Sequence, residues 1–381
     1  MRFFTAGESH GAGLTVFLDG VPAGLAVDVA QIDADLRRRQ LGYGRGARQR
    51  IERDTARVTG GVRQGRTTGA PIAIWIDNRD AVNWERVMSV DPVAEPPDAV
   101  TRLRPGHADL AGALKYGHVD VRDVIERASA RETAARVAAG GVAKAILRTV
   151  GTDVLSETIS IGTVTAPPHF DRAAIEASEV RCGDARATAE MVAAISAARD
   201  AGDTLGGVTA VRASAVVPGL GSYAQWDRRL DGRIAQALCS IQSAKGVEFA
   251  DAFDAAHDRG SVVHDPIERR GSGFGRPRNR AGGLEGGVTN GEDVVVRVAF
   301  KPISTLMRPL ASVDLRTGAP SPAHVERSDV CIVPAAGVVS EAMLALVLAD
   351  ALCAKFGEDQ MDDLVAAVDR YRDRLKPIDE R

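Results

Sequence analysis

Aromatic residues and lysines are scarce in this 381-residue sequence, and its four cysteines lack metal-ligand spacing. Phe, Trp and Tyr make up 4% of the chain, too few for a basic surface that stacks nucleic-acid bases. The net charge of −3 offers no overall attraction to a polyanion. From the net charge and the few aromatic residues we expect no nucleic-acid partner. Cys182, Cys239, Cys331 and Cys353 are scattered, which predicts reduced thiols in a cytoplasmic protein without a metal site.

Segments typical of secretion or membrane insertion are also missing. The N-terminal residues do not form a basic stretch followed by an apolar run. The most apolar late stretch, EAMLALVLADALCAKF (341–356), is interrupted by Asp350 and is too short to span a bilayer. The composition, 45% hydrophobic and 26% charged, is that of a globular protein with a large core. We therefore expect no membrane partner.

The common cofactor and nucleophile templates do not match either. The chain lacks G-x-x-x-x-G-K-[ST], and GYGRG (42–46) and GSGFG (271–275) lack the strand–loop–helix setting of a dinucleotide fingerprint. GESHG (7–11) fits the G-x-S-x-G nucleophile elbow, but a strand-like stretch, GLTVFLDGV, follows where an elbow needs a helix. A serine hydrolase is therefore disfavoured, and an accidental glycine-rich turn is the neutral alternative.

Hydrophobic periodicity predicts an α/β protein without a clear linker, which we interpret as one domain spanning 1–381. Asp28, with Gln31 three residues later, resembles a capping box that starts a helix. A long helix is expected from about 121 to 150, loosened at Gly140 and Gly141. The other predicted segments are strands at 69–77, 152–164, 207–217 and 293–300, and helices at 186–200, 229–242, 336–355 and, peripherally, about 361–376.

Arginine is concentrated between residues 37 and 66, where Glu52 and Asp54 alone balance ten guanidinium groups. The planar guanidinium suits bidentate recognition of carboxylate or phosphate. The loop LGYGRGAR (41–48) lies inside this cluster, and its backbone amides can also approach an anion. A coding bias toward arginine or a solvated helix face accounts for many arginines, but not for their clustering beside this loop.

Ionisable residues also gather at a Pro–Gly turn and on the predicted long helix. RLRPGHADL (102–110) places Arg104, His107 and Asp109 on a loop, where side chains can be presented to a cleft. Arg127 and Arg131 repel each other at i, i+4 unless an anion lies between them, although such a pair is more often a solvated face.

The C-terminal third adds three polar or glycine-rich stretches. KPIST (301–305) suits a phosphate or a carbonyl oxygen, and the glycines of AGGLEGG (281–287) let a flat ring lie against backbone. Asp329 stands two residues after Arg327, whose positive charge favours the ionised carboxylate.

Seven stretches occur in an order typical of one known family. They run from the first residues to about residue 356 and are AGESHG, RRQLGYGRGAR, RPGHADL, ERASARETAARVAAG, AGGLEGG, KPIST and RSDVCIVPAAGVVSEA. In this combination the chain resembles the chorismate synthase family of the shikimate pathway. The resemblance implies a β-α-β sandwich, a homotetramer and conversion of 5-enolpyruvylshikimate 3-phosphate to chorismate. This 1,4-anti elimination of phosphate requires reduced FMN without net redox change, with NADPH as a candidate reductant of the flavin.

The resemblance also implies roles for individual residues. It makes His10 a proton donor near the flavin, His107 a proton donor near the leaving phosphate, and Asp329 a residue that helps the flavin act as base. The matching substrate-binding positions are Ser9, Arg39, Arg45, Arg48, Arg104, Arg131 and Arg327. The matching flavin-contact positions are Arg127, Ala128, Ser129, Gln242, Ser243, Gly286, Lys301, Pro302, Ile303, Ser304, Thr305 and Ser328, together with Arg39 and Arg45, which also match nicotinamide-phosphate contacts.

Two alternatives from other classes stay open on the sequence. An FMN-dependent oxidoreductase that transfers a net hydride needs the same flavin contacts. An arginine-rich module that binds RNA or another polyanion uses the same cations, but it predicts an extended basic surface and a steep salt dependence. The fate of the flavin separates the first alternative from an elimination, and salt dependence identifies the second.

Overall fold

Strands and helices alternate through the residues that the computed structural model describes, which are 1–46, 51–271, 273–326 and 328–375. The strands are β1 (Arg2–Ala6), β2 (Gly13–Asp19), β3 (Arg57–Gly60), β4 (Val62–Arg63), β5 (Arg66–Thr67), β6 (Ile72–Asp77), β7 (Asp153–Ile161), β8 (Val164–Thr165), β9 (Gly207–Ser214), β10 (Ala244–Phe249), β11 (Glu268–Arg270), β12 (Gly273–Gly275), β13 (Leu284–Glu285), β14 (Val288–Thr289), β15 (Val294–Phe300), β16 (Ala311–Val313) and β17 (Pro320–Pro322). The helices are α1 (Val29–Gln40), α2 (Asp109–Tyr116), α3 (Arg122–Ala128), α4 (Thr133–Thr149), α5 (Arg172–Ala177), α6 (Ala185–Asp200), α7 (Leu230–Cys239), α8 (Ala252–Ala255), α9 (Gly260–Val263), α10 (Val333–Phe356) and α11 (Met361–Arg374).

Two large antiparallel sheets form the outer layers of the fold. Sheet I has the strand order β1-β2-β6-β3, and sheet II has the order β10-β15-β9-β7-β8. In β6, Ile72, Ile74 and Ile76 are buried whereas the residues between them are partly exposed, so one face of sheet I points into the core. Since the strand pairs in both sheets are antiparallel, the fold is not a doubly wound parallel sheet.

Helices α4 and α10 form the layer between the sheets. α4 packs on β2 and β6 of sheet I, α10 packs on β7 and β9 of sheet II, and the two helices contact each other. Their backbones come close because of Gly140, where an added Cβ would lie 2.3 Å from the Cβ of Ala342. This arrangement is the β-α-β sandwich expected from the family resemblance.

Helix α1 begins where the capping signal predicted. The Asp28 carboxylate accepts a hydrogen bond from the amide of Ala30 at 3.0 Å, which satisfies one of the free amides at the helix start. Ile32 and Leu36 are buried on the face that packs against α4 and α10. The strand predicted at 152–164 is divided into β7 and β8 by a turn at residues 162–163, and the predicted end of the last helix, residue 376, lies outside the described residues. The other predicted strands and helices, apart from the segment 121–150, are present with ends shifted by a few residues.

The prediction of one long helix from 121 to 150 was wrong. α3 ends at Ala128, Ser129 is extended (φ −63°, ψ 141°), and a 3-10 turn at Ala130–Glu132 leads into α4. Gly140 and Gly141 stay helical. Because they have no side chains, α4 packs closely on neighbouring helices at these positions. The break at Ser129 instead turns residues 128–131 toward the cavity described below.

The late apolar segment belongs to α10, which is longer than the sequence analysis expected. The helix begins at Val333 and has 24 residues, enough by length and composition to cross a bilayer. However, 94% of its most apolar window is buried inside the protein. α10 is therefore the central helix of the core, and its apolar character reflects burial between sheet II and α4.

Candidate active site

A cavity of about 740 Å³ lies where α4 and α10 begin. Its wall is assembled from distant parts of the chain: the loop after β1, the end of α1, the 104–108 loop, the 301–305 segment and the loop before α10. A volume of this size is typical of a site for organic ligands.

Most of the predicted site residues contribute to this wall. They are Ser9, His10, Arg39, Arg45, Arg104, His107, Ala128, Ser129, Arg131, Gln242, Ser243, Lys301, Ile303, Ser304, Thr305, Ser328 and Asp329. Arg48 and Arg327 lie outside the described residues. The chain therefore brings motifs more than 300 residues apart into one space, although their roles stay predictions.

Three predicted residues that the structure describes are not in the lining: Arg127, Pro302 and Gly286. Arg127 donates hydrogen bonds to the carbonyl oxygens of Gly7 (3.0 Å) and Thr5 (2.9 Å), so it supports the N-terminal loop from outside. Gly286 lies in the turn between β13 and β14. Pro302 lies between two segments that do reach the cavity.

The GESHG stretch is a turn between β1 and β2 that is held by Asn78. The Asn78 side-chain amide donates to the carbonyl oxygens of Glu8, Ser9 and Gly11 at 3.1, 3.2 and 2.7 Å. Asn78 directly follows β6, the neighbour of β2 in sheet I. This side chain therefore fixes a glycine-rich turn to the rigid sheet beside it.

His10 is clamped by a carboxylate and an indole ring. Its Nδ1 lies 2.8 Å from Glu126 Oε1, its backbone amide donates to Glu126 Oε2 at 2.8 Å, and its ring stacks on Trp84 at 3.9 Å. Burial works against the charge of Glu126, but the hydrogen bonds from His10 outweigh it and hold the pKa of Glu126 below its usual value. An ionised Glu126 accepts a hydrogen bond from the Nδ1–H group of His10. The other ring nitrogen, Nε2, is then the one that can exchange a proton with a ligand.

His107 has a carboxylate partner of the same kind. Its Nδ1 lies 2.5 Å from Asp109 Oδ1, and the Arg104 Nε donates to Asp109 Oδ2 at 2.9 Å. Burial again disfavours the charged carboxylate, yet His107 and Arg104 together hold the pKa of Asp109 well below its usual range. Asp109 thus fixes the orientation of the His107 ring.

Asp329 is fixed by the loop that follows α1. Its Oδ1 accepts a hydrogen bond from the amide of Gly46 at 2.5 Å, and its Oδ2 lies 2.9 Å from the Arg45 guanidinium. The sequence analysis named Arg327 as the cation beside Asp329, and Arg327 is outside the described residues. Arg45, 284 positions away in the chain, occupies that role among the residues described.

Arg39 and Arg131 share one buried carboxylate. The Arg39 Nη2 donates to Asp54 at 2.7 Å, and the Arg131 Nη1 donates to both oxygens of Asp54 at 2.6 and 2.7 Å. Burial disfavours ionisation of Asp54, but the two guanidinium groups lower its pKa. Glu52 also lies 3.9 Å from Arg131 Nη2, so carboxylates hold both guanidinium groups in place at the wall, where their planar donors suit an anionic ligand.

Sequence reasoning missed several residues that hold the site together. Asp54 and Asp109 were noticed only as parts of charged stretches, and Glu126, Asn78 and Trp84 were not singled out. Polar residues directly after a buried strand, as in NRD (78–80), are a signal that points to Asn78. No comparable pattern marks Glu126, because its partner His10 is 116 residues away.

The fold and the cavity together indicate an enzyme that acts on an anionic small molecule. Two histidine–carboxylate pairs and several guanidinium groups face one cavity. The sequence model of a family described as Chorismate synthase matches residues 1–353. The chain therefore belongs to the chorismate synthase family, the lyases of the shikimate pathway that convert 5-enolpyruvylshikimate 3-phosphate to chorismate.

Individual relatives agree with the family model along the whole chain. A chorismate synthase of Desulforudis audaxviator is 55% identical, covering 99% of this chain and 98% of the relative. One of Rubrobacter xylanophilus is 54% identical, covering 98% and 97%. A solved structure titled "Crystal Structure of Chorismate Synthase" has a TM-score of 0.80 and 42% identity, and it covers 98% of both chains.

Proposed function

We propose that the phosphate elimination takes place in the cavity at the starts of α4 and α10, with reduced FMN bound there. The observation that carries this proposal is that His10, His107 and Asp329 face one space, the two histidines each held by a carboxylate and Asp329 held by Arg45. Groups fixed in this way can transfer protons without first reorganising.

The arginines at the wall would bind the anionic groups of the substrate. 5-Enolpyruvylshikimate 3-phosphate carries two carboxylates and one phosphate. Arg39, Arg45, Arg104 and Arg131 offer planar donors, and their paired carboxylates hold each guanidinium in one orientation. An anion that enters this space therefore meets donors that are already ordered.

The cavity also has polar atoms that fit FMN. Gln242 Oε1, Arg39 Nε and Arg45 Nε are buried and have no hydrogen-bond partner among the described residues. Lys301 Nζ lies 2.9 Å from Ser304 Oγ, and burial lowers the pKa of this lysine. The positive φ of Gly106 lets the 104–108 loop lie against Ser304, where a Cβ would come within 3.3 Å of the hydroxyl.

These atoms divide naturally between the two ends of a flavin nucleotide. Lys301 and Ser304 suit its phosphate, whereas the Gln242 carbonyl suits an N–H of its ring system. When bound, reduced FMN supplies electron density to the allylic system from which phosphate departs.

The two histidines would have separate proton tasks. His107, backed by the ionised Asp109, donates a proton to the leaving phosphate. His10, backed by Glu126, donates a proton on the flavin side of the cavity. Asp329, whose two oxygens are held at the wall by Arg45 and the Gly46 amide, would help the bound flavin act as the base for the substrate proton.

We further propose that the protein works as one domain per chain, in a cytoplasmic homotetramer, with NADPH as the reductant of the flavin. Paired aromatic side chains support an assembly: Phe4 and Phe17 are opposite each other on β1 and β2 and are 65% and 48% exposed. Light scattering after gel filtration tests the subunit number.

The function is tested anaerobically with the purified protein, photoreduced FMN and 5-enolpyruvylshikimate 3-phosphate. Phosphate release and chorismate absorbance should rise together while the flavin stays reduced at the end. Flavin that becomes oxidised in step with turnover would show an FMN oxidoreductase instead. Bound flavin without any product would favour the polyanion-binding alternative.

A further inference from the structure

Arg122 and Glu326 lie between the two histidine–carboxylate pairs. The Arg122 Nη1 is 3.4 Å from Glu126 Oε1 and 3.0 Å from Glu326 Oε1. The other oxygen of Glu326, Oε2, is 3.7 Å from the Arg104 Nη1. Basic and acidic side chains therefore alternate along one continuous chain of contacts, in the order His10, Glu126, Arg122, Glu326, Arg104, Asp109 and His107.

The chain of charges is shielded from solvent for most of its length. Glu126 and Asp109 are fully buried, Arg122 is 16% exposed and Glu326 is 25% exposed. Ion pairs at such positions are screened less than pairs on the surface. Burial opposes the charge of Glu326, but His324, Arg104 and Arg122 bring its pKa to about 2.

Arg122 does not line the cavity, whereas Glu326 does. The Arg122 guanidinium also lies over the Trp84 ring, 5.2 Å from its centroid, and Trp84 is the ring on which His10 stacks. Arg122 thus contacts both the carboxylate and the aromatic ring that hold His10, from the side away from the ligand.

We propose that Arg122 is a positioning residue for both histidines, acting through the Arg122–Glu326 bridge. The bridge holds Glu126 against His10 and Arg104 against Asp109, and so it sets how firmly each imidazole retains its proton. The assignment of proton transfer to these histidines rests on the proposed function, but the bridge itself is defined by contacts on the protein.

The electrostatic consequence has a definite sign. Arg122→Gln removes a positive charge beside Glu126 and leaves the negative charge of that carboxylate uncompensated, so the His10 proton is held more firmly. Glu326→Gln removes a negative charge between Arg122 and Arg104, so both histidines lose their protons more easily. A role in packing alone would not give shifts of opposite sign for these two substitutions.

Other charged groups face the histidines and stay in place in these variants. Glu126 faces His10, and Asp80 holds the indole of Trp84, whose Nε1 donates to it at 3.2 Å. Asp109 and Arg104 face His107. The remaining charged groups of the wall are Arg39, Arg45, Glu52, Arg131, Lys301 and Asp329.

The test is a pH titration of the whole protein labelled in histidine, followed by the imidazole NMR signals without flavin or substrate. His10→Gln and His107→Gln assign the two signals. Arg122→Gln should raise the pKa of His10 by about 0.5 to 1 unit and that of His107 by less, as one nearby charge does. Arg122→Lys should restore most of the wild-type value, and Glu326→Gln should lower both.

A matched control removes a surface arginine of the same kind. Arg186 is 90% exposed and pairs with Glu190 on α6, so Arg186→Gln should leave both histidines unchanged. The proposal would be overturned if the pKa values of His10 and His107 were unchanged in Arg122→Gln. It would also be overturned if Arg122→Gln and Glu326→Gln shifted these pKa values in the same direction. If Arg122→Gln does not fold, Glu326→Gln decides the matter: lowered pKa values of both histidines support the proposal, and unchanged or raised values overturn it.

The titration does not require turnover, so it separates this inference from the proposed function. Opposite shifts in a protein that makes no chorismate would support the bridge and reject the proposed function. Normal phosphate elimination with unchanged histidine pKa values would support the proposed function and reject the bridge.

Discussion

Arg38 and Arg39 are neighbours on α1, yet their side chains belong to two different ionic networks. Arg38 points into a core cluster made of Asp35, Arg38, Lys144 and Glu341, where its guanidinium donates twice to the Glu341 carboxylate at 2.8 Å. Arg39 points to the cavity and donates to Asp54. Consecutive residues on a helix diverge by about 100°, so one helix can serve both regions.

The two networks differ in how completely their polar atoms are used. Both oxygens of Glu341 accept several donors, including Lys144 Nζ at 2.7 Å and the Ser156 hydroxyl at 2.7 Å. At the cavity, Arg39 Nε has no partner among the described residues. The carboxylate oxygens of the core cluster are thus all occupied in the folded protein, whereas the cavity network keeps donors that a ligand can use.

The largest expected effect is the loss of turnover when a cavity histidine is removed. His10→Ala and His107→Ala should each lower kcat by roughly 100- to 10,000-fold, the usual contribution of a general acid. FMN binding and the unfolding temperature should stay close to wild type, because neither ring belongs to the core. Activity assays, flavin titration and thermal unfolding check this, and unchanged turnover in either variant would remove that histidine from the mechanism.

Removing the central carboxylate of the core cluster should have the opposite profile. Glu341→Ala removes the carboxylate that Arg38, Lys144 and Arg181 share and leaves these three cations with only Asp35 and Glu176 as partners, which should lower the free energy of unfolding by about 3–5 kcal/mol. Denaturant unfolding measures the change. Glu190→Ala, which breaks a surface pair with Arg186, is the control and should shift stability by less than about 1 kcal/mol. Equal effects of the two variants would contradict the comparison.

A smaller effect is expected from Gln242, whose carbonyl oxygen has no partner among the described residues. Gln242→Leu should weaken FMN binding by about 5- to 30-fold, the value of roughly one to two hydrogen bonds. Flavin fluorescence titration measures this affinity. Gln236→Leu, on the exposed side of α7, is the matched control. If both variants bind FMN like wild type, no flavin atom uses this oxygen.

The smallest effect concerns stability in acid. The folded-state pKa of Glu326 is about 2, below its ordinary value of 4.5, so its charge stabilises the fold fully above pH 4.5. This stabilisation decreases as the pH falls toward 2. The stability difference between wild type and Glu326→Gln should therefore be larger at pH 6 than at pH 3. A difference that grows toward acid would contradict the ion pairs assigned to Glu326.

Local features of the fold could be predicted from the sequence, because they depend on neighbouring residues. The Asp28 cap and the alternation of Ile72, Ile74 and Ile76 are signals within a few positions. The break at Ser129 was missed, although Ser129 and Glu132 fit the capping-box pattern of a helix start, and the Ser129 hydroxyl accepts a hydrogen bond from the amide of Arg131 at 3.3 Å. Gly140 was misread because its close contact with Ala342 on α10 is tertiary.

The candidate site shows the same limit more clearly. Motif resemblance identified His10, His107 and Asp329, but not the carboxylate or bridge residues behind them. Glu126 is 116 positions from its partner His10, and Glu326 is 204 positions from its partner Arg122. Hydrophobic periodicity carries no information over such separations. Ion pairs of this kind can be recognised only in the folded structure, where the backbone brings both residues together.

These long separations also bear on how the protein matures during synthesis. The turn that carries His10 leaves the ribosome first, and Asp329, the partner of the Gly46 amide, follows 283 residues after Gly46. At translation rates of about 5–20 residues per second, the first part of the site waits on the order of tens of seconds for the last. Contacts this distant in sequence also slow the search for the native topology. Ligand binding is therefore expected to appear late on the folding pathway, and it reports that the whole chain has reached its native arrangement.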